Sequence, residues 1–432
     1  MEKERYVVGL GEALWDKTLK TEIQKEAESK AAKAGQTLME YIKSEKLFDD
    51  KKNYDKKPGG APANFAYHAG QWLDDDNIKV LVVSSLGRDD DGKELNDILR
   101  EKGLNEVPQL KGFKPSESGK ALSELLQIEN YKTGEVWITL DESGKPAYDI
   151  KEGAYDHIPY DEILVNGMTL KEIAKNCRAV CFGSLAQRNK DSRDTIQLFL
   201  KDTPDYCLKV FDINLRQNHY SKKTIKESLE LCNILKINDE ELVTFGQMFN
   251  LSHLKEPEDK CREILKEFEL DMLILTCGEE GSYVFTKDLT SYQDTPVVKP
   301  GSTIGDVFLE DNFDKPKIAK KLHTVGAGDS FTGSFIAAII NSKTKIGDLD
   351  FDTIQRAHKL AVQVSAFVCT EEGAMPEIPN VIRKYNKRLK KEQETKNKKE
   401  KKEDMKLFQY IFIKSLNKSI KIQVLAKNLW PL

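Results

Sequence analysis

At 432 residues, 39% of them hydrophobic and 32% charged, the chain can hold one large α/β domain or two ordinary ones, with a heavily solvated surface or tail. A formal net charge of −4 supplies no global positive field, which argues against nucleic acid as a partner. No apolar run approaches the roughly 18 residues of a membrane span, and the start Met1-Glu-Lys-Glu-Arg-Tyr6 lacks the apolar core of a signal peptide, so a cytoplasmic protein without a membrane partner is expected. The seven cysteines are scattered and the closest pair, Cys177 and Cys181, forms no C-x-x-C, so reduced core residues are expected, with no zinc site or disulfide framework.

Tyr6 to Leu10 reads as a short apolar strand, followed by Gly11-Glu12-Ala13-Leu14-Trp15-Asp16. Ligands of open α/β sheets bind beyond the carboxyl ends of strands, which places Asp16 for substrate contact; a turn-stabilising Asp would look the same. Residues 17 to 57 are rich in lysine and glutamate, with Ile23, Ala27, Ala31, Ala34, Leu38 and Ile42 at helical spacing. They predict an amphipathic helix with a weak point at Gly35, appended to the domain because its apolar face is narrow and alanine-rich. In Lys57-Pro-Gly-Gly-Ala-Pro-Ala-Asn-Phe-Ala-Tyr-His68, the glycine pair and prolines make a tight entry into a helix, and Asn64 offers a donor and an acceptor to a polyol.

Val80 to Ser85 predicts a buried strand, and Leu122 to Ile128, Val136 to Leu140 and Ala147 to Ile150 alternate as strands of a separate small sheet over the main one. From residue 179 the chain takes on a strand-helix rhythm, with strands at Ala179 to Gly183, Leu208 to Ile213, Ile234 to Ile237 and Met272 to Thr276. Right-handed crossovers in a parallel sheet are the economical solution. Polar residues recur at the ends of these strands: Asp212, Asn214 and Arg216; Asn238 to Glu241; Thr276, Gly278 and Gly281. Their repetition along one edge points to a common cleft.

Thr324-Val-Gly-Ala-Gly-Asp-Ser-Phe-Thr-Gly333 runs into an apolar segment and reads as a glycine-rich turn opening a helix. Unpaired N–H groups and the helix dipole at such a start suit a phosphate, and Gly326 and Gly328 let the backbone approach an anion. Asp329 is then the candidate base for a hydroxyl attacking a phosphoryl group, although Asp is also a common helix cap. Beyond Ile382, residues 383 to 406 are dominated by lysine and glutamate and read as a solvated helix or linker.

Taken together, the Gly11–Asp16, Gly59–Ala66, Phe182–Arg188, Phe211–Arg216, Asn238–Glu241, Thr324–Gly333 and Glu372–Pro376 stretches resemble the ribokinase-like (PfkB) family of carbohydrate kinases, and within it the fructokinase branch. The resemblance covers about residues 5 to 382 apart from the 17–57 insertion, leaving 383–432 as a C-terminal extension. It implies an α/β fold, a doubly wound and mostly parallel sheet flanked by helices, with a small β lid. It implies transfer of the ATP γ-phosphate to a sugar hydroxyl with Mg²⁺, D-fructose to fructose 6-phosphate first. The alternatives are another sugar or sugar acid such as 2-keto-3-deoxygluconate, or a catalytically weak sugar-binding regulatory protein.

By position, the resemblance makes Asp329 the base and Gly326, Ala327 and Gly328 the anion hole. It gives Asp16, Gly59, Gly60, Asn64 and Arg188 to the sugar, and Asn238, Thr276, Gly278, Gly281 and Arg216 to the nucleotide and its phosphates; contact with the lid or a structural ion pair is the alternative for both Arg188 and Arg216. Glu241 goes to Mg²⁺ through water. The family usually places an acid one residue before the Thr324 run; here it is His323, a poor partner for a hard cation, which puts K⁺ activation in doubt. A homodimer through the lid is compatible with the resemblance, and the 17–57 insertion lies close to that lid in sequence.

Overall fold

Runs such as Met272-Leu-Ile-Leu-Thr276 carry no polar side chain before their last residue, so neither face can be left in water and helices must cover both. The computed structural model describes residues 4–104, 126–128, 131–140, 146–160, 164–165, 168–296, 324–379 and 382–383. Among them, eight strands form one sheet in the order Thr290–Gln293, Ser282–Thr286, Met272–Thr276, Ile234–Asn238, Leu208–Asp212, Cys177–Phe182, Arg5–Leu10, Ile78–Val83. The six from Met272–Thr276 to Ile78–Val83 are parallel. The other two close that edge antiparallel.

The chain passes from Arg5–Leu10 first to Ile78–Val83 on one side and later to Cys177–Phe182 on the other, so the order reverses at Leu10 and Phe182, which lie opposite each other. Such a reversal parts the crossovers and leaves a crevice beyond the strand ends. Glu12 opens onto that crevice.

A second sheet of four strands, in the order Tyr54–Gly59, Leu14–Leu19, Gly134–Leu140, Pro146–Ile150, forms the lid. The 17–57 insertion is therefore shorter than the sequence suggests. Lys17 to Leu19 and Tyr54 to Lys57 are lid strands, and the helices inside it are Thr21–Ala34 and Leu38–Ser44. The strand signal is hidden because its alternating residues are lysines that bury their stems and pair their ammonium groups. Gly35 does end the first of these helices, in the left-handed conformation at φ 66°. Leu126–Ile128 pairs with Ser85–Gly87 and not with the lid, and Leu122 to Leu125 lie outside the described residues. The antiparallel strands Ser282–Thr286 and Thr290–Gln293 carry no distinctive sequence signal and were not anticipated.

Two helices pack on the sheet beside the crevice, Ala61–Trp72 and Ala327–Ser342. They meet at Gly333, where an added Cβ would fall 2.6 Å from Phe65 O and 2.9 Å from Ala69 N. Phe331, Phe335, Ile336, Ile339 and Ile340 on the second helix are buried, each worth about 1.5–3 kcal/mol on full burial. Tertiary packing therefore outweighs the modest helix propensity of its Gly, Ser and Thr residues. All seven cysteines are unpaired, five of them buried.

The chain divides into two units, Met1–Pro376 and Glu377–Leu432. In the described part of the second, Ile382 and Arg383 N–H groups bond Pro379 O, and Arg383 pairs with Glu377 at 3.5 Å. The 383–406 run lies outside the described residues beyond Arg383. Among the described residues, no helix is long and apolar enough to cross a membrane.

Gly333→Ala should push the two helices apart and cost about 1–3 kcal/mol of stability, the usual range for an added methyl in a packed core. Urea denaturation monitored by circular dichroism reads this directly. A loss under half a kcal/mol, roughly the scatter of neutral substitutions, would contradict the close crossing.

Candidate active site

The crevice is a cleft of about 1020 Å³ between the carboxyl ends of the strands, the lid and the helix starts. At one end lie Asp16, Gly60 and Asn64, under the lid residues Leu14, Val136, Ile138, Tyr148 and Ile150. At the other end lie Thr276, Gly278, Gly281, Thr295, Val325, Val362 and Ala366. Gly326, Ala327, Gly328 and Asp329 line it as well, together with Arg216, Lys236 and Asn238.

Asp329 stands in the first turn of Ala327–Ser342. Gly326 caps that helix at φ 81°, a left-handed conformation that suits glycine, and a Cβ there would also fall 2.7 Å from Ala374 Cα. The Ala327 N–H donates to Thr324 O at 3.2 Å, so the donors of the turn without an acceptor one helical turn back belong to Gly328 and Asp329. On the facing helix, Asn64 Nδ2 donates to Asp329 Oδ2 at 2.7 Å. The other amide atom, Oδ1, is buried without a hydrogen-bond partner among the described residues. Behind Asn64, His68 Nε2 lies 2.8 Å from Ala374 O, and burial pushes the imidazole down to about 4, so it is neutral and tethers the loop that abuts Gly326.

Three carboxyls converge here. Burial pushes Asp329 up from 3.8 to about 6, helped by the Asp212 charge and opposed by the Asn64 hydrogen bond, Lys236 and Arg216. Burial and then the Asp329 charge carry Asp16 to about 7, against Arg216. Glu12, 2% exposed, is raised to about 7 by burial, with backbone N–H groups and Arg216 opposing. Groups this close titrate as a set.

Lys236 was missed by motif reading, because one lysine inside a strand carries no pattern. It is 6% exposed, and its ammonium donates to Asp212 Oδ1 at 3.1 Å. A Cβ on Gly328 would lie 3.0 Å from its Nζ, so the charge sits against the glycine turn. Burial pulls this ammonium down, but Asp212, Glu241 and Asp329 outweigh burial and hold it up at about 12. Glu12 was quoted only as part of a motif; a buried acid two residues past a strand was the available signal.

Not every predicted residue reaches the cleft. Gly59 lies just behind it, its missing side chain making room for Asp16, whose Oδ2 would be 2.2 Å from a Cβ. Arg188 is tied to Asp156 through Nε at 2.7 Å and NH2 at 2.8 Å, and to Tyr155 OH and Lys151 O, which makes it a brace beneath the lid. Arg216 does line the cleft, with its guanidinium 5.8 Å from the ring of Tyr148. Glu241 is buried in a capping box, accepting from Asn238 N–H and Leu215 N–H at 2.9 Å each. Among the described residues no cluster of three metal-ligating side chains exists. His323 lies outside the described residues.

A sequence profile of pfkB family carbohydrate kinases matches residues 200–308. A probable fructokinase of Arabidopsis thaliana is 24% identical over 334 residues, 76% of this chain and 81% of that one. An ATP-dependent 6-phosphofructokinase of Thermoanaerobacterium thermosaccharolyticum is 23% identical over 335 residues, 76% and 84% of the two chains. Among solved structures, a fructokinase with bound ATP from Xylella fastidiosa superposes with a TM-score of 0.61 at 16% identity, covering 86% of this chain and 94% of that one.

The pH dependence of stability tests the burial of Asp16. An unfolded Asp titrates near 3.8 while the folded chain holds Asp16 at about 7, so the folded state keeps a proton that the unfolded state releases. The contribution is full below about pH 4 and is lost as pH rises through 7. Asp16→Asn should therefore raise Tm over the wild type at pH 8, with the difference shrinking toward pH 4. Scanning calorimetry at both pH values checks it; an equal difference at both would contradict the buried carboxyl.

Proposed function

We propose that the chain is a carbohydrate kinase of the pfkB family, whose profile matches residues 200–308, and that it transfers the γ-phosphoryl group of ATP to a hydroxyl of a ketose, D-fructose first, yielding fructose 6-phosphate. One observation carries the reading: a carboxylate at a helix start, beside backbone N–H groups without a backbone acceptor among the described residues, held toward the lid-side end of the cleft by an amide on the facing helix. A base next to an anion site is what phosphoryl transfer to a hydroxyl requires.

Asp329 takes the hydroxyl proton as the acceptor oxygen attacks. Asn64 fixes the carboxylate through Oδ2, and its unpartnered Oδ1 is left to accept from a second sugar hydroxyl. Asp16, across the cleft on the lid, holds a further hydroxyl. Such fixed buried partners discriminate epimers, because a mispaired polar group costs about 1–3 kcal/mol. The N–H groups of Gly328 and Asp329 and the Lys236 ammonium face the oxygens of the group in transfer, where preorganised positive charge matters most. The apolar lid face excludes water, the competing acceptor.

The nucleotide lies along Thr276, Gly278 and Gly281, an assignment in keeping with the ATP bound by the Xylella fructokinase. Mg²⁺ bound with the triphosphate supplies charge neutralisation. The donor set fits indirect binding only: both Glu241 oxygens accept backbone N–H groups, and Asn238 Oδ1 accepts from Glu241 N–H at 2.8 Å. Asp239 and Glu240, which line the cleft, would orient the ion's waters.

Asp329→Asn should lower kcat by about 10²–10⁴-fold with little change in KM for ATP. ADP release on a panel of fructose, 2-keto-3-deoxygluconate, fructose 6-phosphate and ribose identifies the acceptor, and near-normal turnover in the variant would sink the assignment. Lys236→Met should cost kcat about 10²-fold or more while leaving KM for the sugar within a few-fold. A selective rise in sugar KM instead would move Lys236 out of the phosphoryl site. In the wild type, kcat/KM for the sugar should fall as pH drops through about 6 to 7, where Asp329 and Asp16 take up protons.

A further inference from the structure

The lid sheet has two faces, and strand alternation separates them. Leu14, Asp16, Val136 and Ile138 line the cleft. Trp15, Lys17 and Leu19 point the other way, yet they are only 1%, 5% and 2% exposed. A sheet of four strands at the edge of a molecule would ordinarily show that face to water or to a partner.

The chain itself covers it. Phe48, from the segment between the lid strands Leu14–Leu19 and Tyr54–Gly59, stacks on Trp137 with ring centroids 4.6 Å apart and meets Tyr54 at 5.6 Å. Ile42, fully buried, packs with Leu19, Phe48 and Tyr54, and Ile23, Leu38, Met39 and Leu47 close around them. Polar contacts fasten the rim: Lys43 pairs with Asp149 at 2.9 Å, and Lys151 sits 3.7 Å above the Trp137 ring. The other half of the face is held by the helix Asp90–Glu101. Trp15 Nε1 donates to Asp91 O at 2.9 Å, Lys56 pairs with Asp91 at 2.9 Å, and Lys17 bonds Asp91 and Glu135.

We propose that residues 20–53 are a built-in cover for the outer face of the lid, which braces the strand that presents Asp16. The cover leaves and rejoins the sheet at one point: Lys20 N–H donates to Asn53 O at 2.9 Å, and Leu19 lies opposite Tyr54. The chain thus completes the lid within one molecule, with an apolar cluster and an ion-paired rim behind its strands. The effect on sugar affinity rests on the reading of the cleft above; the burial of the outer face does not.

The geometry permits a clean excision, because a two-residue Asn-Gly hairpin can replace residues 21–52 between Lys20 and Asn53. The deletion should expose Leu19, Tyr54 and Trp137. It is expected to bind anilinonaphthalene sulfonate several-fold more strongly than the full chain, to self-associate in sedimentation velocity, and to show a sugar KM raised about tenfold with KM for ATP within about twofold, the pattern of lost positioning. A dye signal equal to that of the full chain, an unchanged sugar KM, or an equal rise in both KM values overturns the proposal. Phe48→Ala, which removes only the ring on Trp137, should show the same changes at smaller size and decides the matter where the deletion does not fold. If the full chain turns over no sugar, the kinase reading fails on its own account, while dye binding and sedimentation still decide the cover.

Discussion

The hydrogen bond from Asn64 to Asp329 joins residues far apart in sequence, and the active cleft depends on it. It forms because the helices Ala61–Trp72 and Ala327–Ser342 cross at Gly333 with backbone nearly touching backbone. Any side chain there would widen the crossing and draw the amide off the carboxylate. Both helices start at glycines, Gly60 and Gly326, in conformations with positive φ, so both starts open onto the same crevice. The apolar residues behind them supply the stability, and the polar ends supply the chemistry.

That arrangement works against itself electrostatically. Glu12, Asp16 and Asp329 sit in a poorly solvated space; the Asp329 charge raises the proton affinity of the other two, and Asp212 raises that of Asp329. Burial pushes Asp329 toward its protonated form, and the positive groups around it oppose the shift. Lys236 and Arg216 oppose the rise at Asp329, and Arg216 does the same at Asp16. Burial works against the charge of Lys236, and Asp212, Glu241 and Asp329 outweigh it. Acids and cations therefore oppose one another across the cleft, and the raised carboxyls cost folding stability as pH rises through about 7.

The lid carries a division of labour along its strands. Residues of one parity meet the cleft, and those of the other are locked to the rest of the chain. Asp16 thus stands between Trp15 and Lys17, both anchored to Asp91, so the position of a cleft-facing carboxylate is set by contacts made behind the sheet. Arg188, which motif matching assigns to the sugar, acts here by gripping Asp156 and Tyr155 under the same lid.

Much of this was legible in the residues themselves. The apolar runs ending in polar residues marked the parallel sheet and the edge that opens onto the cleft, and Thr324–Gly333 announced a helix start carrying a carboxylate, because short-range sterics and unpaired N–H groups are properties of a local stretch. Gly35 stopped its helix as read, for the same reason. The sequence alone could not show that Lys236 reaches the glycine turn, that Glu241 spends its oxygens on backbone N–H groups, or that Lys17 and Tyr54 belong to strands. Those outcomes depend on which neighbours a side chain meets across the fold, and a lysine buried against two carboxylates is spelled no differently from one in water. Local backbone chemistry was decided by the sequence, and the partners of each charge by the tertiary structure, because the free energy of a buried charge is set by its distant neighbours.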